Sequence, residues 1–353
     1  MVGGTVHVPK FTIGMAHFDD YHGAYFTIQD IRKELLFHGY GNMLELIEFV
    51  VVDNNHESAH GKQLEKFLQK QVTATNNVRM IKMTNTIGTS ATRNAIIEKA
   101  DTEFVLVMDC HVMLCPVTKV IPMLIDFMLN NPDTDDLYTG PLVADTMQGL
   151  STHFNDVWAG GMWGQWGSTF ECHCGWKFTG VPKDGMIEFR KIVEQEPITA
   201  CHFCGKELPV LKHYGWKREM AELEYRQPAW DDDLKFEIPS QGLGMFLTRK
   251  DSWLGFNPYS IAFGGEEGYI HEKYRRAGRK CWNLSFLKWM HRFNRPDGIK
   301  YPISVDGKCR NYIYEFIELG MNIDPVVDHF ISLGVKPHVI KYHVDEAKRV
   351  YNA

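Results

Sequence analysis

The run "FVLVMDCHVML" (Phe104–Leu114) constrains this chain more than any other stretch, because its apolar residues lead straight into Asp109, Cys110 and His111. A strand covered on both faces reads as an unbroken apolar run, which makes Phe104–Met108 an interior strand of a parallel sheet. Open α/β sheets bind ligands just beyond the carboxyl ends of such strands. Asp109 and His111, at i and i+2 of an extended segment, fall on the same side. They offer one oxygen and one nitrogen to a divalent cation.

The flanking sequence supplies the rest of a sheet. Strand-like Phe11–Ala16, Leu44–Val52 and Val78–Met83 alternate with helix-like Ala24–His38, Leu64–Gln71, Thr89–Lys99 and Val117–Leu129. That alternation implies a mostly parallel, Rossmann-like sheet. Thr89 or Ser90 is the expected cap of the third helix. The G-x-G-x-x-G fingerprint is absent after the first strand, which disfavours a nicotinamide enzyme. Asp19 and Asp20 follow the first strand, Asp53 follows the second, and Arg93 stands near a helix start. All would gather at one sheet edge and suit a nucleotide, with carboxylates on base N–H groups or ribose hydroxyls and Arg93 on phosphate.

From Met147 to Glu237 the periodicity fades. Trp158, Trp163 and Trp166 crowd among glycines in "VWAGGMWGQWG", a composition that reads as a packed lid. Two tight cysteine pairs follow, Cys172/Cys174 and Cys201/Cys204. Thiols so spaced, in a chain without a visible secretory signal, predict a tetrahedral structural zinc site, with His173 or His202 able to replace one Cys. The segment is expected to be an insertion, mostly loops stapled by metal. Cys110, Cys115, Cys281 and Cys309 are expected as ordinary buried residues. The α/β pattern returns at "QGLGMFLTRKDSW" and "FGGEEGYIHEKYRRAGRK", with a helix over Glu266–Ala277. Two helical stretches, Arg310–Leu319 and Val326–Leu333, close the chain. The expected division is 1–146, an insertion over 147–237, a second half over 238–300 and a helical segment over 301–353.

Several of these blocks together resemble a known family. "VVDNN" and "TSATRNAII…VLVMDCHV" are similar to the N-terminal half of GT-A-fold glycosyltransferases of the family 2 type. The Asp-x-His form of the motif resembles that of the polypeptide N-acetylgalactosaminyltransferases, and "QGLGMFLTRKDSWLGFNPYSIAFGGEEGYIHEKYRRAG" resembles their acceptor-side block. The resemblance implies an α/β GT-A fold, here with an inserted zinc-ribbon subdomain. It further implies a nucleotide-sugar donor, UDP-linked, and His291 in "MHRFNRP" as a third metal ligand beside Asp109 and His111. A carboxylate with two imidazoles suits Mn²⁺ better than Mg²⁺. Glu266, with Glu267 as alternate, would take the acceptor's proton if the anomeric centre inverts, or position acceptor or sugar if it is retained.

The layout also resembles glycosyltransferases of phage genomes, some of which look like modifiers of hydroxylated bases in phage DNA. The leading acceptor on that resemblance is a hydroxymethylated pyrimidine in DNA. Net charge is −6, so any DNA contact must be local, and "KHYGWKR" and "YRRAGRK" are the candidate phosphate contacts. Two other readings stand beside this one. One is transfer to a saccharide, lipid-linked glycan or protein. The other is a non-catalytic zinc-ribbon binding protein on a degenerate scaffold, which the Asp109, His111 and His291 set disfavours. No run approaches the roughly 18 apolar residues of a membrane span. "MVGGTVHVPK" lacks a leader pattern, so the expected compartment is the cytoplasm, the host's if the chain is phage-encoded.

Overall fold

The computed structural model describes residues 10–70, 77–84, 88–115, 119–144, 146, 149–295 and 298–351. Residues 1–9 of "MVGGTVHVPK", and the expected bounds at Gln71, Val117 and Met147, lie outside the described residues. Four strands, β1 (Phe11–His17), β2 (Ile47–Asp53), β3 (Asn77–Lys82) and β4 (Phe104–Asp109), run parallel in the order β3-β2-β1-β4. Every residue of β2 is buried, because helices cover both faces of the sheet. Phe11, Ile13 and Met15 pack with α1 (Tyr21–Phe37) and α2 (Ala59–Gln69) on one face. Val50, Val52, Val105 and Val107 pack with Ile96 and Ile97 of α3 (Thr89–Lys99) on the other. Asp20 caps α1 through Gly23 N–H, and Ser58 caps α2 through Gly61 N–H. The cap of α3 is Gly88 at φ 123°, not Thr89 or Ser90. A Cβ there would lie 2.3 Å from the Ala262 carbonyl oxygen, so only glycine lets these two turns meet.

Beyond β4 the sheet continues with Met245–Arg249, antiparallel to β4, then Leu137–Thr139, Cys281–Leu284 and the edge strand Lys235–Glu237. Eight strands result, mostly parallel as expected. Lys235–Glu237 therefore belongs to the main sheet, and the insertion ends before it. A second small sheet fixes the site. Trp289–His291 pairs antiparallel with Val112–Leu114, and the register sets His291 opposite Val112, next to His111.

The insertion is not mostly loops. His153–Ala159 and Met162–Gly167 form an antiparallel hairpin, and Thr169–Glu171, Lys177–Lys183, Met186–Lys191 and Pro197–Ile198 form a four-stranded sheet. Glycines and clustered aromatics hide the strand alternation there. Trp158 and Trp163 pack into the C-terminal helices, and Trp166 packs on Phe154 and Trp289. The four-stranded part has its own small core, with Phe170, Phe178, Phe189, Trp216 and Met220. It enters and leaves through one pair of reciprocal backbone bonds, Glu171 N–H to Arg226 C=O at 2.8 Å and the reverse at 3.2 Å.

The chain closes with three helices, Val305–Glu318, Asp324–Ser332 and Pro337–Tyr351, where the sequence pattern suggested two. The last one buries only Ile340, His343 and Ala347, a face too weakly apolar to stand out. Among the described residues no helix is long and apolar enough to cross a membrane.

Candidate active site

The carboxyl ends of β1, β2 and β4 and the start of α3 meet at one sheet edge. A cavity of about 280 Å³ opens there. His17, Phe18 and Asn54 wall it from the ends of β1 and β2, Thr89 and Arg93 from α3, and Asp109 and His111 from β4. Phe263, Arg295 and Tyr301 close the far side.

Asp109, His111 and His291 converge as expected, their ligand atoms within 4.8 Å of one another. His111 Nε2 lies 3.0 Å from His291 Nε2, and His291 Nε2 lies 3.4 Å from Asp109 Oδ2. The proton positions follow from the partners. His111 Nδ1 lies 3.0 Å from Asp20 Oδ2. Burial alone would raise the Asp20 carboxyl, but its hydrogen bonds to His111 and Gly23 N–H and the Arg292 charge hold it well below the usual range. An ionised carboxylate only accepts, so His111 Nδ1 carries the proton and its Nε2 lone pair faces His291. A proton on His291 Nε2 satisfies this 3.0 Å contact, and so does a cation shared by the two nitrogens. Ligands at right angles on an ion about 2.1 Å away stand about 3.0 Å apart, and tetrahedral ones about 3.4 Å, so the donor set fits a divalent metal.

Arg93 organises the acids behind this cluster. Its side chain is 3% exposed and donates to Asp109 Oδ1 at 2.9 Å and to Glu266 Oε1 at 3.1 Å. Burial alone would raise the Asp109 carboxyl, yet the Arg93 charge and the His291 hydrogen bond hold it far below its ordinary value. Glu266 is buried with three donors on it: Arg93, Thr89 Oγ1 at 2.7 Å and Gly264 N–H at 2.9 Å. The residue expected to receive the acceptor's proton is thus also the tie between α3 and the Gly264-Gly265 turn. Glu267 differs. Burial and the neighbouring Glu266 charge push its carboxyl up to about 8, and its Oε2 is buried without a partner among the described residues.

The remaining sequence candidates divide. Asp20 lines the cavity and orients His111. Asp53 does not line it: fully buried, it lies 3.1 Å from His17 Nδ1 and accepts from Asn55 N–H. Asn54, one residue on, takes the wall position. Asp19, at φ 50°, holds Asn55 and lines a neighbouring cavity. Arg295, Tyr301 and Phe263 escaped the sequence reading because loops carry them and no local spacing marks them. The basic runs are largely spent inside the chain. Arg275 and Arg276 pair with Glu272, Arg279 with Asp135, Lys280 with Glu237 and Arg218 with Glu222.

In the insertion, Cys172, Cys174, Cys201 and Cys204 converge, with Sγ–Sγ distances of 3.7 Å for Cys172–Cys204 and 3.4 Å for Cys174–Cys201. Thiolates about 2.3 Å from one zinc stand about 3.8 Å apart, so the cluster fits a tetrahedral site. The other four cysteines are buried.

Residues 25–153 match the family described as Glycosyl transferase family 2. The crystal structure of GalNAc-T7 with UDP, GalNAc and Mn²⁺ superposes on 98% of this chain at 12% identity with a TM-score of 0.53. This is a GT-A glycosyltransferase fold. The chain spans 55% of the length of that GalNAc-T7 chain. Looser likenesses include S. aureus TarS 1-349 in complex with UDP-GlcNAc (12% identity, 96% of this chain, 79% of that one, TM-score 0.46). Another is the mannosyltransferase PcManGT from Pyrobaculum calidifontis in complex with GDP-Man and Mn²⁺ (9% identity, 97% and 74%, TM-score 0.46). No curated protein sequence matches the chain. The family 2 segment of this GT-A fold takes in Asp109 and His111 and stops short of the four-cysteine module and of His291.

Proposed function

We propose that this protein is a metal-dependent glycosyltransferase that moves a sugar from a nucleotide donor, UDP-linked, to a hydroxyl group. The observation that carries this reading is the convergence of Asp109, His111 and His291, of which Asp109 and His111 line a cavity walled by Arg93 and Arg295. Those three side chains would hold the metal, Mn²⁺ before Mg²⁺ given two nitrogen donors. When bound, it supplies Lewis-acid neutralisation of the charge that develops on the departing diphosphate. The chain's own groups do the rest. Asp20 keeps the His111 proton on Nδ1, so that Nε2 remains a ligand. Arg93 holds Asp109 ionised and in place, and Arg295 brings a further positive charge to the leaving group. Asn54 lines the wall where base and ribose hydrogen bonds would be made. Mn²⁺ and UDP in the GalNAc-T7 structure agree with this donor chemistry.

For the acceptor's proton the Glu266/Glu267 pair supplies the carboxylate. Glu266 is fixed to Arg93, whereas Glu267 has an oxygen without a partner among the described residues and a carboxyl that burial pushes up to about 8. The four cysteines would hold a structural zinc. Their module falls below the roughly 70–80 residues at which a core suffices by itself.

The leading acceptor remains a hydroxymethylated pyrimidine in DNA, on the likeness of sequence blocks given above. The test is mass spectrometry of nucleosides after incubating the protein, Mn²⁺ and a panel of sugar nucleotides with hydroxymethylated DNA. A hexose or pentose adduct on the base, lost in Asp109→Ala, is the expected result. Metal-dependent release of UDP without any DNA adduct would keep the transferase and remove this acceptor.

A further inference from the structure

Two cations that make no ion pair among the described residues, Arg295 and Lys300, stand beside the donor cavity. A second cavity of about 230 Å³ adjoins the first and shares Phe18, Asp20 and Arg295 with it. His22 at the start of α1, His60 at the start of α2, Arg292 and Lys300 complete the part of its wall that matters here. Two carboxylates face it, and both are engaged. Asp20 accepts from His111 and Gly23 and from Arg292 Nη2 at 2.7 Å, and Asp19 Oδ2 accepts from Asn55 Nδ2 at 3.0 Å. Against them stand Arg292, Arg295 and Lys300, of which the last two make no ion pair among the described residues. Among the described residues the wall is therefore net positive. His60 adds a directed donor. Its Nδ1 accepts Tyr21 N–H at 3.2 Å, so the proton of the neutral ring sits on Nε2. The N-terminal ends of α1 and α2, where His22 and His60 sit, contribute partial positive charge as well.

We infer that this second cavity is a phosphate subsite and that it holds a phosphodiester of the acceptor while the donor occupies the neighbouring cavity. The inference rests on the transferase reading and narrows its acceptor to one that carries phosphate next to the reacting hydroxyl. The same chemistry could come from the donor's diphosphate reaching across the shared wall, so the test separates the two.

Fluorescein-labelled oligothymidylate is titrated with the full chain in Mn²⁺, with and without saturating UDP, and anisotropy is read at several salt concentrations. The wild type is compared with the double variant Lys300→Glu/His60→Ala. The expected result is oligonucleotide binding that survives UDP and weakens about tenfold in the variant, with a shallower salt slope. UDP affinity, measured by calorimetry, should be unchanged in the variant. Displacement of the oligonucleotide by UDP assigns the cavity to the donor and overturns the inference, as does equal binding by the variant. If UDP fails to bind the wild type while the variant still loses the oligonucleotide, the subsite stands and the transferase reading falls.

Discussion

Replacing Arg93 by Met tests the electrostatics of the site most directly. Met fills nearly the same volume, so the packing loss is small. The charge loss is not. Asp109 and Glu266 lose a guanidinium at 2.9 and 3.1 Å, and both carboxylates stay buried or nearly so with Glu267 alongside. Removing one partner of a buried ion pair costs about 3–5 kcal/mol, a large share of the roughly 5–15 kcal/mol that holds a folded domain together. The pH dependence gives the mechanism away. In the wild type the Asp109 pKa is depressed below its unfolded value, so its contribution to stability is present above about pH 4 and is lost as pH falls toward the folded value. The variant lacks the Arg93 part of that contribution. The gap between the two proteins should be full at pH 7 and should narrow in acid, where the carboxylates can protonate. Mn²⁺ should narrow it too, by restoring positive charge beside Asp109. Urea denaturation at about pH 7 and pH 4.5, with and without Mn²⁺, measures all three effects. A variant within about 1 kcal/mol of wild type at pH 7, or a gap that acid leaves unchanged, would show that Arg93 does not balance these acids.

Other predictions follow from single contacts. Asp20→Ala should weaken Mn²⁺ binding by about 10–100-fold, because His111 loses the partner that fixes its tautomer; electron paramagnetic resonance of free Mn²⁺ reads this directly. Glu266→Gln should keep UDP binding while cutting transfer by a factor on the order of 10² to 10⁴; equal loss of donor binding would make it purely a tie for Arg93. Glu267 titrates near 8 when folded and near 4.3 when unfolded, so stability should fall as pH rises across that interval, and Glu267→Gln should flatten the fall. Cys201→Ser should abolish binding of about one zinc per chain and speed hydrogen exchange between residues 172 and 225, with β1–β4 unaffected.

Much of the site was legible because its residues end strands whose apolar runs are contiguous in sequence. Phe104–Met108 announces β4, and β4 carries Asp109 to the edge. His291 is another matter. No local pattern joins it to His111, and only the register of Trp289–His291 on Val112–Leu114 does so. Asp53 shows the limit of reading by position: it ends β2 as expected, yet the pleat turns it inward to His17 and leaves the wall to Asn54. Arg295 and Tyr301 lie on loops, where three-dimensional placement rather than periodicity decides. The hairpin and sheet of the insertion were hidden for a different reason. Their cores are small, and glycine-rich aromatic sequence blurs the period of two.

Glu171 and Arg226 bridge the two ends of the four-cysteine module, which also touches the rest of the molecule through Gln195 and Ile192. To the main sheet, everything between Glu171 and Arg226 is one closed loop, and loop-closure entropy grows slowly, by only about 0.6 kcal/mol for each doubling of length. Such a module can be lengthened, shortened or exchanged at little thermodynamic cost to the catalytic half. Changes of length there leave Asp109, His111 and His291 untouched, since none of the three lies between Glu171 and Arg226.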